Sequence, residues 1–351
     1  MDTLKPLWRV LFFLIFFVPQ ASYAGCIDNI NDTRLATYCL INSLNGATID
    51  LKTASYIDHS LKNEGFASGL GFNANVPVVT HKSYVVPILG YDSNINGGNA
   101  DRPLVLNGLS LVGSEQNLKR AGVILGALAG LNGRSIYGEG RYLDYSVSVS
   151  YAHSTKHRIG VKRSAASVCS RNLLSDNWYI DGCGDSSRLV RDLAAETKSG
   201  MSFSAGKLFA FGRHGFHSTS IGIRRHFADD HTQSQVQLTW DTARPRGVYT
   251  SISASFGRPV KDTLAMQQSL VGTLGATVFK RALTATVAYS YASGGRLLGA
   301  LRNDTSRAIS VKYALTEKIS LGIGYNSIDS SVDYFDENEP IFSIQFAPIR
   351  F

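Results

Sequence analysis

A chain of 351 residues, 44% hydrophobic and only 18% charged, has no run of roughly 18 apolar residues beyond its N-terminal stretch, which excludes a helical inner-membrane protein. A formal net charge of +8 would ordinarily suggest nucleic acid or anionic surfaces. The Lys and Arg residues are dispersed, however, so solvated loops and a mildly cationic interior account for them and no nucleic-acid partner is expected.

At the start of the chain, Lys5 and Arg9 precede the apolar stretch Val10 to Val18, and Ser22-Tyr23-Ala24 stands before Gly25. This is the layout of a cleaved secretory signal over 1–24, because a spanning helix needs roughly 20 apolar residues. Cleavage would remove Asp2, Lys5 and Arg9 and leave a charge of about +7. Tyr23-Ala24-Gly25-Cys26 is similar to the lipobox of bacterial lipoproteins, without the usual Leu three positions before the cysteine. Cys26 is therefore either acylated or a member of the even set Cys26, Cys39, Cys169 and Cys183, for which two local disulfides in an oxidising compartment are the simpler account.

Residues 25–80 read differently from the rest. Asp32 is placed to cap a helix through Thr33, Leu35, Ala36, Tyr38, Cys39 and Leu40. The segment is too small for a substantial core of its own. It is either a periplasmic appendage or a plug within whatever follows, and a Cys26–Cys39 disulfide would staple it.

From 81 to 351 the pattern is period two. Leu143, Tyr145, Val147, Val149 and Tyr151 alternate with Asp144, Ser146, Ser148 and Ser150, and the same alternation returns around 248–256, 283–291, 309–313 and 319–326. The polar face is made mostly of Ser, Thr, Gly and Asn rather than Lys and Glu. That suits a hydrated lumen better than an open solvent face, and Tyr151, Trp240, Phe279 and Tyr313 fall beside expected turns, where interfacial aromatics belong. The apolar run Val123 to Gly130 is expected to be a strand whose glycines relieve crowding on the lumen side.

Fourteen strands are expected, at 82–91, 104–114, 119–132, 138–153, 156–170, 188–208, 214–227, 232–242, 246–257, 264–279, 281–294, 304–314, 316–328 and 339–350. The fold class is therefore all-β, a transmembrane antiparallel barrel in the outer membrane, its even strand number placing both ends on the periplasmic side. Loops are expected at 171–187, 295–303 and 329–338. The first of these contains Trp178 and Tyr179 and is closed by Cys169 and Cys183, so it would act either as a cap over a pore or as a structural staple.

Catalytic chemistry finds no foothold. His153-Ser154 and His217-Ser218 are neighbours on strands and point to opposite faces. His226, Asp229, Asp230 and His231 gather at a turn, and Asp329, Asp333, Asp336, Glu337 and Glu339 form an acidic stretch, but solvated loops explain both better than a metal site does. No cofactor is expected. Asp144, Lys162, Asp192, Glu196, Lys198, Arg224 and Lys312 share the polar parity and are expected to line the pore, where they would either set ion preference or cross-brace a filled interior.

The chain ends in an alternating strand, with Phe342, Ile344 and Phe346 on one parity and Ile349 and Phe351 on the other. This resembles the C-terminal sorting signal of outer-membrane proteins, which implies recognition by the barrel-assembly machinery; a bulge near Pro348 would return both sets to the lipid face. The segment Gly90-Tyr91-Asp92-Ser93-Asn94-Ile95-Asn96, together with the expected strand number and an aromatic last hairpin from Tyr334-Phe335 to Phe351, resembles the barrel domain of the surface lipoprotein assembly modifier family. The N-terminal helical repeats of that family have no counterpart in 25–80. The resemblance implies a lipoprotein client, whereas composition and pattern alone imply a channel for solute or polypeptide, or a non-conducting surface-binding barrel.

Overall fold

The computed structural model describes residues 32–43, 51–66, 79–99, 103–106, 109–112, 114–211, 215–244 and 247–351. The expected signal and Cys26 lie outside the described residues. Two helices, α1 (Thr33–Ser43) and α2 (Leu51–Asn63), precede the strands β1 (Val79–Asp92), β2 (Leu104–Leu106), β3 (Leu109–Leu111), β4 (Gly122–Gly138), β5 (Arg141–Ser154), β6 (Ile159–Leu173), β7 (Trp178–Val190), β8 (Ala195–Ala210) and β9 (Phe216–Ala228). There follow β10 (Thr232–Arg244), β11 (Val248–Gly257), β12 (Ala265–Val278), β13 (Arg281–Leu297), β14 (Ala300–Ala314), β15 (Ile319–Ser330), β16 (Glu337–Phe346) and β17 (Ile349–Arg350).

β1 and β4 to β16 form a closed antiparallel barrel of fourteen strands, each paired with its sequence neighbour, and β1 pairs with β16 to close the wall. Closure leaves no free sheet edge, the condition for a sheet to cross a bilayer with its backbone satisfied. Among the described residues no helix is long and apolar enough to cross a membrane.

The alternation in sequence becomes inside and outside. Val147 and Val149 on β5, Met201 and Phe203 on β8, Ile221 and Ile223 on β9, Ile252 on β11 and Ile323 on β15 all stand exposed on the outer surface. An apolar belt of this extent around a whole molecule belongs in lipid. Exposed aromatics flank it: Trp178, Trp240, Phe279 and Phe351 towards the end where the wall begins and finishes, Tyr91, Tyr151 and Tyr325 towards the other. The protein is thus an outer-membrane barrel, with both ends of the wall on the periplasmic side.

Two expectations about strands are corrected, and they cancel in the count. Residues 104–114 are not a wall strand; β2 and β3 form a small separate hairpin in the connection between β1 and β4. Residues 171–187 are not an external loop; Trp178–Val190 is a wall strand in register with β6, turned through 174–177 at the periplasmic end. The expected long strand 188–208 is accordingly the end of β7, a turn at 191–194, and β8. The turn residues Ser175, Asp176 and Asn177 explain the misreading, because a polar stretch flanked by cysteines resembles a loop when the hairpin is tight. Likewise 295–303 is almost all strand, with only Leu298 and Gly299 between β13 and β14.

The C-terminal bulge is present. Ile88 faces Gln345, yet Val85 faces Ile349 and Tyr84 faces Arg350, a shift of one residue across Ala347-Pro348. Ile349 therefore shares the lipid face with Phe342, and the Phe351 N–H donates to the Ser83 carbonyl at 3.0 Å. On β4, Gly130 leaves space on the lumen side for the Tyr84 ring, which a Cβ there would overlap at 2.4 Å.

Candidate functional site: the lumen

The N-terminal helices lie within the barrel, against the lumen faces of β5 to β11 near the periplasmic mouth. Helix α1 packs on lumen-facing residues of the wall, the side on which a plug would sit. Asp32 caps α1, its Oδ1 accepting the Arg34 N–H at 2.9 Å and the Leu35 N–H at 3.4 Å. The helix then presents Leu35, Cys39 and Leu40 to Tyr179, Leu208, Phe216, Ala243 and Tyr249 of the wall, a buried apolar cluster extended by Tyr38, Ile57 and Leu173. Tyr38 meets Phe216 edge-on, centroids 5.9 Å apart.

Ionic contacts lock this packing. Arg34 donates from Nη1 and Nη2 to the two oxygens of Asp181 on β7, at 2.9 and 2.7 Å, and stacks 4.0 Å from the Tyr179 ring. Arg171 on β6 donates to the same carboxylate at 2.8 Å. Arg34 and Asp181 are both almost fully buried. Burial pulls the Arg34 guanidinium towards the neutral form, but Asp32 and Asp181 more than reverse this and its pKa is raised.

A second lock holds the end of α2. Arg134 on β4 pairs with Asp144 on β5, donates to the Asn63 carbonyl at 2.9 Å and covers the Tyr142 ring at 3.9 Å. Beside it Glu64 is buried, 3.5 Å from the Thr37 hydroxyl. Burial first, then the Asp32 charge, pushes the Glu64 carboxyl up to about 7, with Arg134 and Arg34 pulling the other way.

Among the described residues, neither α1 nor α2 packs on the opposite wall. On β14 to β16 the inward residues include Ser310, Lys312, Gly322, Gly324, Ser343 and Gln345, and Ser310, Lys312 and Gln345 are solvent-exposed within the barrel. At the outer mouth the β1–β4 connection folds inward. Ile95 packs on Ile124, Ala152, Ile159 and Val161, and the buried Asn96 side chain bonds the Leu118 carbonyl and the Arg120 N–H, both at 2.8 Å.

The expected pore-lining set divides in three. Asp144, Glu196, Lys198 and Arg224 do face the lumen, but in pairs: Asp144 with Arg134, Glu196 with Lys198, and Arg224 with Asp185 at 2.8 Å. Lys312 faces the exposed side of the lumen. Lys162 and Asp192 are corrections. Lys162 stands opposite Tyr151 on the lipid-facing parity of β6, where its position near the outer end lets the ammonium reach the interface. Asp192 lies in the turn 191–194 and is exposed there.

Cys169 and Cys183 form a disulfide between directly facing residues of β6 and β7, on the lumen side. It staples a wall hairpin rather than an external loop. Cys39 is also disulfide-bonded; the expected partner, Cys26, lies outside the described residues.

His217 and Ser218, considered for catalysis, have separate partners. His217 faces outward between Phe209 and Trp240, while Ser218 faces inward to the Tyr179 hydroxyl at 2.8 Å. Asp229 accepts the Thr197 N–H, and Asp230 is held below its usual range by its hydrogen bond to His231. Among the described residues no group of three or more His, Cys, Asp or Glu is arranged to hold a metal. Asp92, in the segment resembling the lipoprotein assembly modifiers, accepts the Asn94 N–H and lies 3.4 Å from Arg191, shaping the outer turn.

Sequence reasoning missed Arg34, Arg134, Arg171 and Asp181. Asp181 sat in a stretch taken for a loop, and only the pairing of β6 with β7 brings it beside Arg171. Arg34, two residues after a capping Asp32, was the one local signal.

No family model and no curated protein matches this chain. Solved porin structures do resemble it. They include OprB of Pseudomonas putida, 9% identical with a TM-score of 0.45, covering 78% of this chain and 94% of that one. Another is OccAB4 of Acinetobacter baumannii, 9% identical with a TM-score of 0.39, covering 80% and 100%. A third is a KdgM porin, 10% identical with a TM-score of 0.31, covering 54% and 98%.

Proposed function

We propose that this barrel is a channel for small polar solutes whose path runs along the bare wall of β14 to β16 and whose width is set by the helical hairpin on the opposite side. The supporting observation is the exposure of Ser310, Lys312 and Gln345 inside the barrel while Tyr179, Leu208, Phe216, Ala243 and Tyr249 of β7 to β11 are buried under α1. Fourteen strands enclose more space than wall side chains fill. Outer-membrane lipid surrounds the belt, and Phe342, Ile344, Phe346 and Phe351 on the last strand supply the signal for the barrel-assembly machinery.

Single-channel recording of the refolded protein in planar bilayers tests the reading, with Asp181→Ala as the variant that loosens the hairpin. The expected result is stable conductance in the intact protein and a larger step in the variant. Conductance confined to the variant would favour a polypeptide client, such as the lipoprotein implied by the Tyr91 to Asn94 resemblance, because passage would then require displacement of the hairpin. Silence in both would favour a non-conducting, surface-binding barrel.

A further inference from the structure

The wall is not equally continuous around its circumference. β1 stays in register with β4 along its whole length, from Val79 facing Ser135 to Asp92 facing Gly122. With β16 it pairs only from Ile88–Gln345 to Gly90–Ser343, before β17 rejoins at Tyr84 and Val85. Beyond Gly90, Tyr91 and Asp92 remain with β4 while Ile341 and Phe342 remain with β15. The seam therefore parts in its outer half.

A cavity of about 550 Å³ lies at this parting, within the roughly 300–1,000 Å³ usual for small-ligand sites. On its lumen side it is lined by Val86, Ile88, Ile124, Leu128 and Ile341, an apolar patch beside a lumen of Ser and Gly, and it extends to the outward-facing Tyr91, Pro340 and Phe342. Arg163 and Arg191 also line it. Both lean on one carboxylate: Arg191 Nη2 is 3.4 Å and Arg163 Nη2 4.0 Å from Asp92 Oδ2. The Arg163 side chain is 57% exposed, and Arg191 Nε is buried without a hydrogen bond. Glu339 on the rim is drawn to Lys119 at 3.6 Å.

We propose that the parted seam is a lateral binding site, open to the bilayer, for a single-chain anionic amphiphile. The acyl chain would lie between β1 and β16 on Ile88, Leu128 and Ile341, and the carboxylate would sit between Arg163 and Arg191, supplying the acceptor that one aspartate shared by two guanidiniums leaves wanting. A strand from another polypeptide fits less well. Pro340 has no N–H to offer, and Glu337 and Glu339 place charge along the edge, both features that discourage strand addition.

Photolabelling of the full protein in proteoliposomes with a diazirine-bearing dodecanoate tests the proposal, with a diazirine-bearing dodecylphosphocholine as the zwitterionic control. Adducts from the dodecanoate are expected at residues 86–92, 124–128 and 339–344. Arg163→Gln should lower this labelling about tenfold, the worth of one charge-assisted contact. Closing the seam with Tyr91→Cys and Phe342→Cys should abolish labelling at 124–128 and restore it on reduction. Labelling that is indifferent to both Arg163→Gln and the closed seam would mean ordinary annular lipid. Equal labelling by the phosphocholine probe at 124–128 would remove the anionic selectivity. Either result overturns the proposal.

Discussion

The two sides of the lumen solve different problems with the same backbone. On β5 to β11 the inward positions carry large or charged groups, Tyr142, Tyr179, Asp181, Phe216, Asp241 and Tyr249, and all of these are buried because a helix covers them. At mid-wall on β14 to β16 the inward positions include Ser310, Lys312, Gly322, Gly324, Ser343 and Gln345, small or mild enough to face water. A barrel wall can hold a plug on one side and keep a passage on the other by changing only alternate residues. What separates the sides is the size and charge of the lumen-facing side chains, not the strand geometry.

The largest effect on this asymmetry is expected from Asp181→Ala. It leaves the buried Arg34 and the adjoining Arg171 without their shared carboxylate, and removing one partner of a buried pair costs about 3–5 kcal/mol. The hairpin should undock while the barrel stays folded. Limited proteolysis in detergent should cut within 33–66 in the variant and spare it in the parent; equal protection in both would show that the ion pair does not hold the hairpin.

Leu35→Ala should act through the apolar contact instead. Leu35 is fully buried against the wall, and truncation of such a residue costs about 2–5 kcal/mol. The same cleavage assay should show an intermediate rate, and no change would place the docking energy in the ionic contacts alone.

A smaller effect is expected from pH. Glu64 is surrounded by Thr33, Thr37, Asp32, Arg34, Arg134 and Tyr142, and its folded pKa of about 7 exceeds the ordinary value of 4.5. The folded state thus binds this proton more tightly, so the contribution is complete below about 4.5 and is lost as pH rises through about 7. Hairpin protection should fall between pH 5 and pH 8, roughly the window in which that carboxyl ionises, and Glu64→Gln should flatten the profile. A profile unchanged by the substitution would assign the dependence elsewhere.

The smallest effect concerns selectivity. Lys312→Glu should move the reversal potential under a salt gradient towards cation preference, because Lys312 faces the open side. Lys162→Glu should leave it in place, since that residue is outside the lumen, and Arg224→Gln should do little because Asp185 already neutralises Arg224. A shift with Lys162→Glu equal to that with Lys312→Glu would contradict the assigned faces.

Much of the barrel was legible in the sequence because period two survives without knowledge of the neighbours. Leu143 to Tyr151 reads as one outward face from its own residues, and the change of parity between Phe346 and Ile349 announced the bulge at Pro348. The hairpin at 174–177 was not legible. Its turn is polar and short, its flanking cysteines suggest a loop closed by a disulfide, and only the register of Cys169 with Cys183 shows that they face each other within the wall. The misplacement of Lys162 has the same root: a strand's parity is certain only when its own alternation is strong, and 162–167 offers Lys, Arg, Ser, Ala, Ala and Ser. The plug contacts were beyond reach for a different reason. They join Arg34 to Asp181, 147 positions apart, through two amphipathic helices that have no wall to pack on until the barrel exists.

The most direct test of the two-sided lumen is block of single-channel current by a charged, water-soluble thiol reagent applied to single-cysteine sites on the two walls. Ser310→Cys on β14 should react rapidly and lose a large part of its conductance, whereas Leu208→Cys on β8, covered by α1, should neither react nor change. Rapid block at Leu208→Cys with silence at Ser310→Cys would contradict the account, because the passage would then run where the hairpin is docked.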